Sequence, residues 1–303
     1  MREAIERFIN YLKVEKGFSE NTLVAYRNDL YQLADFVAAE ANKGGAMPSW
    51  SGFGRQGMLS YLLNLKERGY VPTTQARKVA AAKRFFRFMS EEGDLKENPT
   101  QNVTSPKVGK SLPRPISYSE VRLLLEQPTK LSTPEAKRDK AMLELLYASG
   151  MRVSELVSLD VKDVDTVGND VRCFGKGGKE RLIPVYPRAA VSVAEYIKEA
   201  RPKLAHGKDD SALFLNPRGD RLTRQGFWQK IKEYAKSANL DTKIGPHTLR
   251  HSFATHMLNS GKADLRSVQE FLGHANISTT QVYTRLTSEH VRRSYDKSHT
   301  RAK

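Results

Sequence analysis

Cysteine is nearly absent from this sequence, which has one, Cys173, among 303 residues. A single cysteine cannot form an internal disulfide, and it cannot supply the several thiolates of cysteine-based zinc sites and iron–sulfur clusters. Long apolar runs are missing too, since no stretch approaches the ~20 apolar residues that cross a bilayer. The first residues are mixed in charge and contain no apolar segment of the signal-peptide kind. We therefore predict a soluble, cytoplasmic protein with no membrane insertion.

Acidic residues are too few to balance the basic ones. Fifty lysines and arginines face 34 aspartates and glutamates, which gives a formal net charge of +16 at pH 7. Such an excess is typical of proteins that bind a polyanion, because each cation placed against a phosphate releases a condensed counterion. The excess is present in residues 1–110 (17 basic, 12 acidic) and in residues 111–303 (33 basic, 22 acidic). Both parts of the chain therefore suit contact with a polyanion, and a merely soluble basic protein is the alternative.

Apolar spacing predicts four helices in the first hundred residues. Ile5, Phe8, Ile9 and Leu12 recur at the spacing of one helical face. A glycine-rich loop is predicted at residues 43–54. The predicted helices are the residues before Gly17, the residues after the N-cap Ser19, residues 55–68 and residues 72–93. Residues 1–97 are therefore predicted to form a small helical domain with its own core.

Proline is concentrated in residues 98–117, which contain four of the 13 prolines of the chain. Proline cannot continue a helix and holds the chain extended, so this segment predicts a linker. Its basic residues, Lys107, Lys110 and Arg114, suit a segment that passes close to a polyanion. An ordinary solvated linker is the alternative.

Residues 118–303 predict a larger second domain that contains helices and strands. Ser117 and Glu120 have the spacing of a capping box at the start of one helix. Another helix begins at Pro134 and ends before Gly150.

Short strands follow these helices. Residues 171–174 and 180–185 predict a hairpin with a glycine-rich tip, and residues 213–215 predict a further short strand. Helices return from about residue 224, and residues 288–298 predict a short C-terminal helix. The whole chain is thus predicted to be mainly α with a small β-sheet, and to consist of a helical N-terminal domain and a larger α+β domain.

Reactive and charged side chains gather in four short clusters of the second domain. Arg152 and Glu155 fit one helical face, and a surface ion pair worth a few tenths of a kcal/mol is the alternative. Lys176 lies between glycines that allow close approach to a ligand, and a flexible turn with a solvated lysine is the alternative. His274 follows a glycine, and alone it is typical of a helix end. Tyr283 comes soon after it, and alone it is typical of a core position or of a surface aromatic.

The fourth cluster contains His247, Arg250 and His251. The i, i+4 spacing of its histidines can seat a zinc ion on a helix. A zinc hydrolase of the H-E-x-x-H kind needs a glutamate directly after the first histidine, where this chain has Thr248. Two histidines beside an arginine suit the binding and protonation of an anion without a metal. We therefore predict no metal and no other cofactor.

Together the clusters contain the groups that phosphoryl transfer needs when no metal takes part. Arginines hold two non-bridging oxygens with forked donors, and histidines relay protons near neutral pH. A lysine can protonate a leaving alkoxide, and a tyrosine hydroxyl can be a covalent nucleophile.

This combination resembles the tyrosine recombinases (the phage integrase-like family), and specifically the Xer-type site-specific recombinases. The resemblance covers essentially the whole chain, and it rests on the order and spacing of five pieces. They are Gly150-x-Arg152-x-Ser154-Glu155, Lys176 on a glycine hairpin, His247-x-Leu249-Arg250-His251, Leu272-Gly273-His274 and the downstream Tyr283. It implies a helical N-terminal DNA-binding domain of the SAM-like, core-binding kind at residues 1–97, a basic Pro-rich linker at residues 98–117 and a larger α+β catalytic domain of the tyrosine recombinase type at residues 118–303.

The resemblance also implies a role for each candidate residue. Tyr283 would attack a DNA phosphodiester and form a 3′-phosphotyrosine bond, so that rejoining needs neither ATP nor a metal. Lys176 would be the general acid for the leaving 5′-oxygen, and His247 would assist as a base or hold the phosphate. The groups that would stabilise charge on the phosphate are Arg152, Arg250 and His274, supported by Glu155.

The same resemblance implies the partners. The substrate would be a double-stranded DNA recombination site, and exchange between two duplexes would need a tetrameric synapse of this chain or of this chain with a paralogue. A DNA translocase at the septum is a further implied partner, because the implied task is to resolve chromosome or plasmid dimers at cell division. A mobile-element integrase, a type IB topoisomerase-like enzyme and a non-enzymatic DNA-binding protein are the alternatives.

Replacing the predicted nucleophile should separate binding from chemistry. Tyr283→Phe removes one hydroxyl and leaves the basic surface that supplies affinity, so we expect no covalent protein–DNA adduct and nearly unchanged affinity for the site. Denaturing electrophoresis of a trapped reaction measures the adduct, and a mobility shift measures binding. An adduct formed by the Tyr283→Phe protein would rule out this tyrosine as the nucleophile.

Overall fold

Two compact units make up the chain, Met1–Ser111 and Leu112–Lys303. The computed structural model describes residues 1–45, 47–105, 115–174, 180–208, 211–260, 265–272, 295–299 and 301. The sequence predicts a separate linker between residues 97 and 118, which this division into two units does not distinguish. Those two domain limits stay predictions.

Helices form the N-terminal unit. Its described helices are α1 (Arg2–Val14), α2 (Glu20–Lys43), α3 (Arg55–Glu67) and α4 (Pro72–Glu91). The four predicted helices are thereby confirmed. The four apolar residues that predicted the face of α1, which are Ile5, Phe8, Ile9 and Leu12, are all buried.

The glycine-rich loop between α2 and α3 contributes to the core of this unit. Its Trp50 and Phe53 are both buried. The ring centroid of Trp50 lies 5.0 Å from that of Phe85, and Phe53 stacks on Phe86 at 5.4 Å. Such aromatic contacts add to the free energy gained by burying the rings. This part of the core comes from a segment without helical periodicity, so apolar spacing could not predict it.

A buried ion pair joins α2 to α4. The Asp29 carboxylate accepts hydrogen bonds from Arg77 and, at 2.9 Å, from the Lys78 ammonium. The same ammonium donates to the Gln32 side-chain oxygen at 2.6 Å. Loss of either buried partner would leave an uncompensated charge, which commonly costs about 3–5 kcal/mol.

The second unit combines helices with a small sheet. Its described helices are α5 (Tyr118–Glu126), α6 (Pro134–Ser149), α7 (Val153–Ser158), α8 (Pro187–Glu195), α9 (Arg201–Ala205), α10 (Arg224–Ser237), α11 (Pro246–Asn259) and α12 (Leu265–Leu272). A π-helical segment, Tyr196–Ala200, connects α8 to α9. The predicted capping box at the start of α5 is confirmed, since Ser117 and Glu120 exchange backbone-to-side-chain hydrogen bonds.

Helix α6 is the centre of this unit. Every residue from Ala141 to Ser149 is buried, so this part of the helix is covered on all sides. It ends at Gly150 in the left-handed conformation, as predicted from the sequence. The buried helix therefore fixes the position of the turn that follows it.

A three-stranded antiparallel sheet lies beside these helices. The strands are β1 (Val164–Asp165), β2 (Asp170–Phe174) and β3 (Glu180–Pro184), in the order β1-β2-β3. Five residue pairs join β2 to β3, from Asp170↔Pro184 to Phe174↔Glu180, which confirms the predicted hairpin. Its tip, residues 175–179, lies outside the described residues. Strand β1 has two residues, too few to show a periodicity.

The strand predicted at residues 213–215 is wrong. This segment has an isolated bridge at Leu215↔Arg221, and the residue before it has another, Asp160↔Ala212, but neither extends into a ladder. All three residues are fully buried. A short, fully buried apolar run has no alternation, so periodicity cannot separate a strand from an irregular core segment.

The described end of the chain packs on α6. Tyr295 is fully buried; its hydroxyl donates to the Ala148 carbonyl at 2.9 Å and accepts from the Tyr186 N–H at 3.1 Å. The Arg301 guanidinium donates to the buried Glu144 carboxylate at 3.0 Å. These contacts hold the last described residues against the centre of their own unit.

The predicted fold class, mainly α with a small sheet, is confirmed. Residues 295–298 are helical, while the rest of the helix predicted at residues 288–298 lies outside the described residues. Within the described chain, no helix is both long and apolar enough to span a membrane.

Among the glycines that the structure describes in this unit, Gly150 should be the hardest to replace. Its φ is +59°, and an added Cβ would lie 2.3 Å from a ring carbon of Phe253. We expect Gly150→Ala to lower the free energy of unfolding by about 3 kcal/mol, from the left-handed backbone and the overpacking together. Denaturant unfolding measures this loss.

Gly207→Ala is the matched control. Gly207 has a φ of +78° and open space around it, so we expect a loss of about 1 kcal/mol from the backbone alone. Equal losses in the two proteins would show that contact with Phe253 does not constrain the turn after α6.

Candidate active site

The turn after α6 presents Arg152 at the start of α7. Arg152 is the N-cap residue of that helix and Glu155 is its third residue. The Glu155 carboxylate accepts the Arg152 backbone N–H at 2.7 Å and the Arg152 guanidinium at 3.0 Å. A glutamate at this position satisfies a donor that the helix itself leaves unpaired. Helix capping thus places the carboxylate beside the arginine.

Glu155 is not part of a surface ion pair. Its exposed fraction is 6%, while the Arg152 side chain is 41% exposed. The surface-pair alternative is therefore wrong for the glutamate: the carboxylate is buried and the guanidinium reaches the surface.

Arg181 of β3 is a third member of this group, and it is not among the residues predicted for the site. Its two terminal nitrogens donate to the two Glu155 oxygens, at 3.1 Å and 2.8 Å. Arg181 pairs across the hairpin with the buried Cys173. A signal was available, because strand alternation puts Arg181 on the same face as the buried Ile183. A charged residue on the inward face of a strand indicates a buried partner.

Two arginines keep Glu155 ionised. Burial alone would raise the pKa of this carboxyl. The hydrogen bonds from Arg181 and Arg152 outweigh burial and hold the pKa below the usual 4.5. The carboxylate is therefore negative throughout the physiological range.

Arg250 of α11 reaches the same turn from the other side. Its guanidinium donates to the Gly150 carbonyl at 2.6 Å and to the Leu272 carbonyl at 2.7 Å. These bonds link α11 to the end of α6 and to the end of α12. Burial, and next the positive charge of Arg152, lower the pKa of Arg250 to about 10. Arg250 stays protonated at neutral pH in surroundings that favour an added negative charge.

His247 lies one helical turn before Arg250 and is exposed. Pro246 and Gly245 precede it at the start of α11, and the Gly245 N–H donates to the Thr248 hydroxyl at 3.2 Å. His247 is therefore on the solvent-accessible end of the helix that presents Arg250. Among the described residues, no three histidine, cysteine, aspartate or glutamate side chains gather as a metal site.

Three predicted site residues, Lys176, His274 and Tyr283, lie outside the described residues. Lys176 comes two residues after the end of β2, and His274 comes two residues after Leu272. The structure thus brings together Arg152, Glu155 and Arg250, together with Arg181. The catalytic roles of all the predicted site residues stay predictions.

The described group is positively charged. Arg152 and Arg181 pair with the Glu155 carboxylate, and the charge of Arg250 interacts with those of Arg152 and Glu155. Three guanidinium groups and one carboxylate leave a formal charge of +2. Arginine is suited to anions because its planar fork can donate two parallel hydrogen bonds. The arrangement can bind a phosphate at the exposed edge of Arg152.

Comparison with protein families covers both units. Residues 115–290 match the Phage integrase family, and residues 5–93 match the Phage integrase N-terminal SAM-like domain. The chain belongs to the phage integrase family. The family predicted from the sequence is thereby confirmed.

Individual relatives agree with this family. The chain is 51% identical over 289 residues to "Tyrosine recombinase XerC" of Herpetosiphon aurantiacus, covering 95% of this chain and 92% of that protein. It is 44% identical to "Tyrosine recombinase XerD" of Halalkalibacterium halodurans, covering 98% of each. It is an enzyme of the Xer-type tyrosine recombinases, which cleave and rejoin DNA strands through a tyrosine nucleophile.

Solved structures share the fold. The chain resembles the XerH site-specific recombinase in a post-cleavage complex with palindromic difH substrate, with a TM-score of 0.66, 22% identity and coverage of 97% and 94% of the two chains. It also resembles a lambda integrase tetramer bound to a Holliday junction, with a TM-score of 0.64, 16% identity and coverage of 93% and 79%. Both neighbours support the two-part arrangement of a helical N-terminal domain and a catalytic domain.

Proposed function

We propose that this recombinase cuts and rejoins double-stranded DNA at a specific site through a 3′-phosphotyrosine bond to Tyr283, and that it resolves chromosome or plasmid dimers at cell division. The observation that supports this most is the meeting of Arg152 and Arg250 at the turn after α6. Arg250 bonds to the carbonyl of Gly150, two residues before Arg152, although 98 positions separate the two arginines in the sequence.

The two arginines suit the binding of a phosphodiester that gains charge during the reaction. The Arg152 side chain is 41% exposed, and burial, followed by the positive charge of Arg152, lowers the pKa of Arg250. A phosphate bound beside these two arginines would be attracted by both positive charges. The phosphorane-like transition state carries more negative charge than the phosphodiester, so fixed donors stabilise the transition state more than the bound substrate.

In the proposed reaction each bond that forms replaces one that breaks, and no cofactor takes part. The Tyr283 oxygen forms a bond to phosphorus, and the bond from phosphorus to the 5′-oxygen breaks. His247 takes the proton of the tyrosine hydroxyl, and Lys176 donates a proton to the leaving 5′-oxygen. In the return step the 5′-hydroxyl of a partner strand attacks the phosphotyrosine, and the tyrosine recovers its proton. The number of phosphoester bonds is unchanged, so rejoining needs no ATP.

The proposed substrate and assembly follow from the neighbours. The XerH neighbour is bound to its difH substrate, and the lambda integrase neighbour is a tetramer on a Holliday junction. By analogy, four protomers hold two duplex sites in one synapse. Relatives of both the XerC and XerD kinds match this chain, so either this chain alone or this chain with a paralogue fits the synapse. We place this work in the cytoplasm, with a septal DNA translocase as a partner.

Arginine substitutions test the proposal in a single-turnover assay. A nicked duplex site, in which the strand beyond the cut diffuses away, traps the covalent adduct. We expect Arg250→Gln and Arg152→Gln each to slow adduct formation on bound DNA by about 10²–10³-fold, because each removes a fixed donor to the transition state. The DNA affinity of these proteins should fall much less than the rate.

Arg218→Gln is the matched control for charge. Arg218 is an exposed arginine of the same unit, so this change also removes one positive charge. We expect its adduct to form at the rate of the unchanged protein. No adduct with the unchanged protein would favour a non-enzymatic DNA-binding protein, and relaxation of a plasmid that lacks the site would favour a topoisomerase.

A further inference from the structure

Arg181 is held between the sheet and the turn that presents Arg152. Its side chain is 17% exposed and lies opposite the buried Cys173 in the hairpin. Both terminal nitrogens are engaged by Glu155, and its Nε is buried with no hydrogen-bond partner among the described residues. Arg181 is therefore much less accessible to DNA than Arg152.

Glu155 is shared between the two arginines. One oxygen accepts from the Arg152 guanidinium at 3.0 Å and from Arg181 at 3.1 Å. The other accepts from the Arg152 backbone N–H at 2.7 Å and from Arg181 at 2.8 Å. The Arg152 side chain is therefore hydrogen-bonded to a carboxylate that Arg181 also holds.

Arg181 also changes the charge that a phosphate would meet. The positive charge of Arg181 offsets the negative charge of Glu155, which leaves the charges of Arg152 and Arg250 for an incoming anion. Without Arg181, the Glu155 carboxylate would compete with a phosphate for Arg152. A buried carboxylate that has lost its main partner would also repel the phosphate directly.

We propose that Arg181 is a positioning residue of the cleavage reaction, which holds and neutralises Glu155 so that Arg152 can engage the scissile phosphate. This inference rests on the proposed function of Arg152. The proposed role of Arg181 is indirect: this residue of β3 contacts Glu155, and Glu155 contacts Arg152.

The experiment compares single and double substitutions in the trapped-adduct assay. Arg181→Gln should slow adduct formation on bound DNA by about 10²-fold, since small displacements of a catalytic group have effects of that size. Adding Glu155→Gln to Arg181→Gln should restore at least about tenfold of the lost rate, because it removes the uncompensated negative charge. A purely structural role predicts the reverse, since the double variant has lost more native hydrogen bonds.

Arg172→Gln is the matched control. Arg172 lies on the same hairpin and pairs with Glu180 at 3.2 Å, but both side chains are about half exposed. It should keep the cleavage rate of the unchanged protein on bound DNA, although it loses the same single positive charge as Arg181→Gln. Arg181→Lys keeps the charge and loses the two-pronged contact. We expect Arg181→Lys to form the adduct about tenfold more slowly than the unchanged protein. This variant takes the place of Arg181→Gln in the experiment if the Arg181→Gln protein does not fold.

The outcomes separate the inference from the proposed function. A full cleavage rate in Arg181→Gln or Arg181→Lys would overturn the inference, as would a double variant no faster than Arg181→Gln. If Arg152→Gln is slow in the same assay, such a result leaves the proposed function standing. A full rate in Arg152→Gln would overturn both.

Discussion

The buried carboxylate of Glu155 is the interaction on which the site depends. A carboxylate removed from water is stable only when donors replace its hydration. Here Arg181 of the hairpin and Arg152 at the start of α7 supply those donors, together with a backbone N–H. The two oxygen atoms of Glu155 thereby join strand β3, the start of α7 and the exposed side chain of Arg152. The same contacts that lower the pKa of this carboxyl also determine where Arg152 points.

The end of helix α6 determines the positions of Arg152 and Arg250. Because the second half of this helix, Ala141 to Ser149, is buried on all sides, the turn at Gly150 cannot move without disturbing the core. Arg250 bonds to the carbonyl at that turn, so a distant helix adopts the position that the turn dictates. The close approach of the Phe253 ring to Gly150 leaves no room for a side chain there. The turn at Gly150 therefore takes part both in the packing of the core and in the geometry of the candidate site.

The sequence predicted what depends on periodicity, local turn chemistry or a family pattern. The N-terminal helices, the capping box at Ser117 and the β2–β3 hairpin are of this kind, and so is the family itself. Features that depend on contacts distant in sequence were missed or wrong. The contact of Arg181 with Glu155 depends on the register of a hairpin and on a helix start, and the two residues are 26 positions apart. The strand expected at residues 213–215 is an irregular core segment. The burial of Glu155 could not be predicted for the same reason. An arginine and a glutamate at i, i+3 have the same spacing in the sequence whether the pair lies on the surface or packs beside a sheet.

The state of the Glu155 carboxyl tests the central claim most directly. Its protonation can be followed by carbon-13 NMR of labelled glutamate side chains, with the Glu155→Gln protein used to assign the signal. A folded-state pKa below the usual 4.5 means that this group stabilises the fold above that pH and that the contribution is lost as the pH falls through the folded pKa. The account predicts that the signal stays that of a carboxylate as the pH falls through 4.5. A midpoint at or above 4.5 would contradict it, because burial would then outweigh the two arginines.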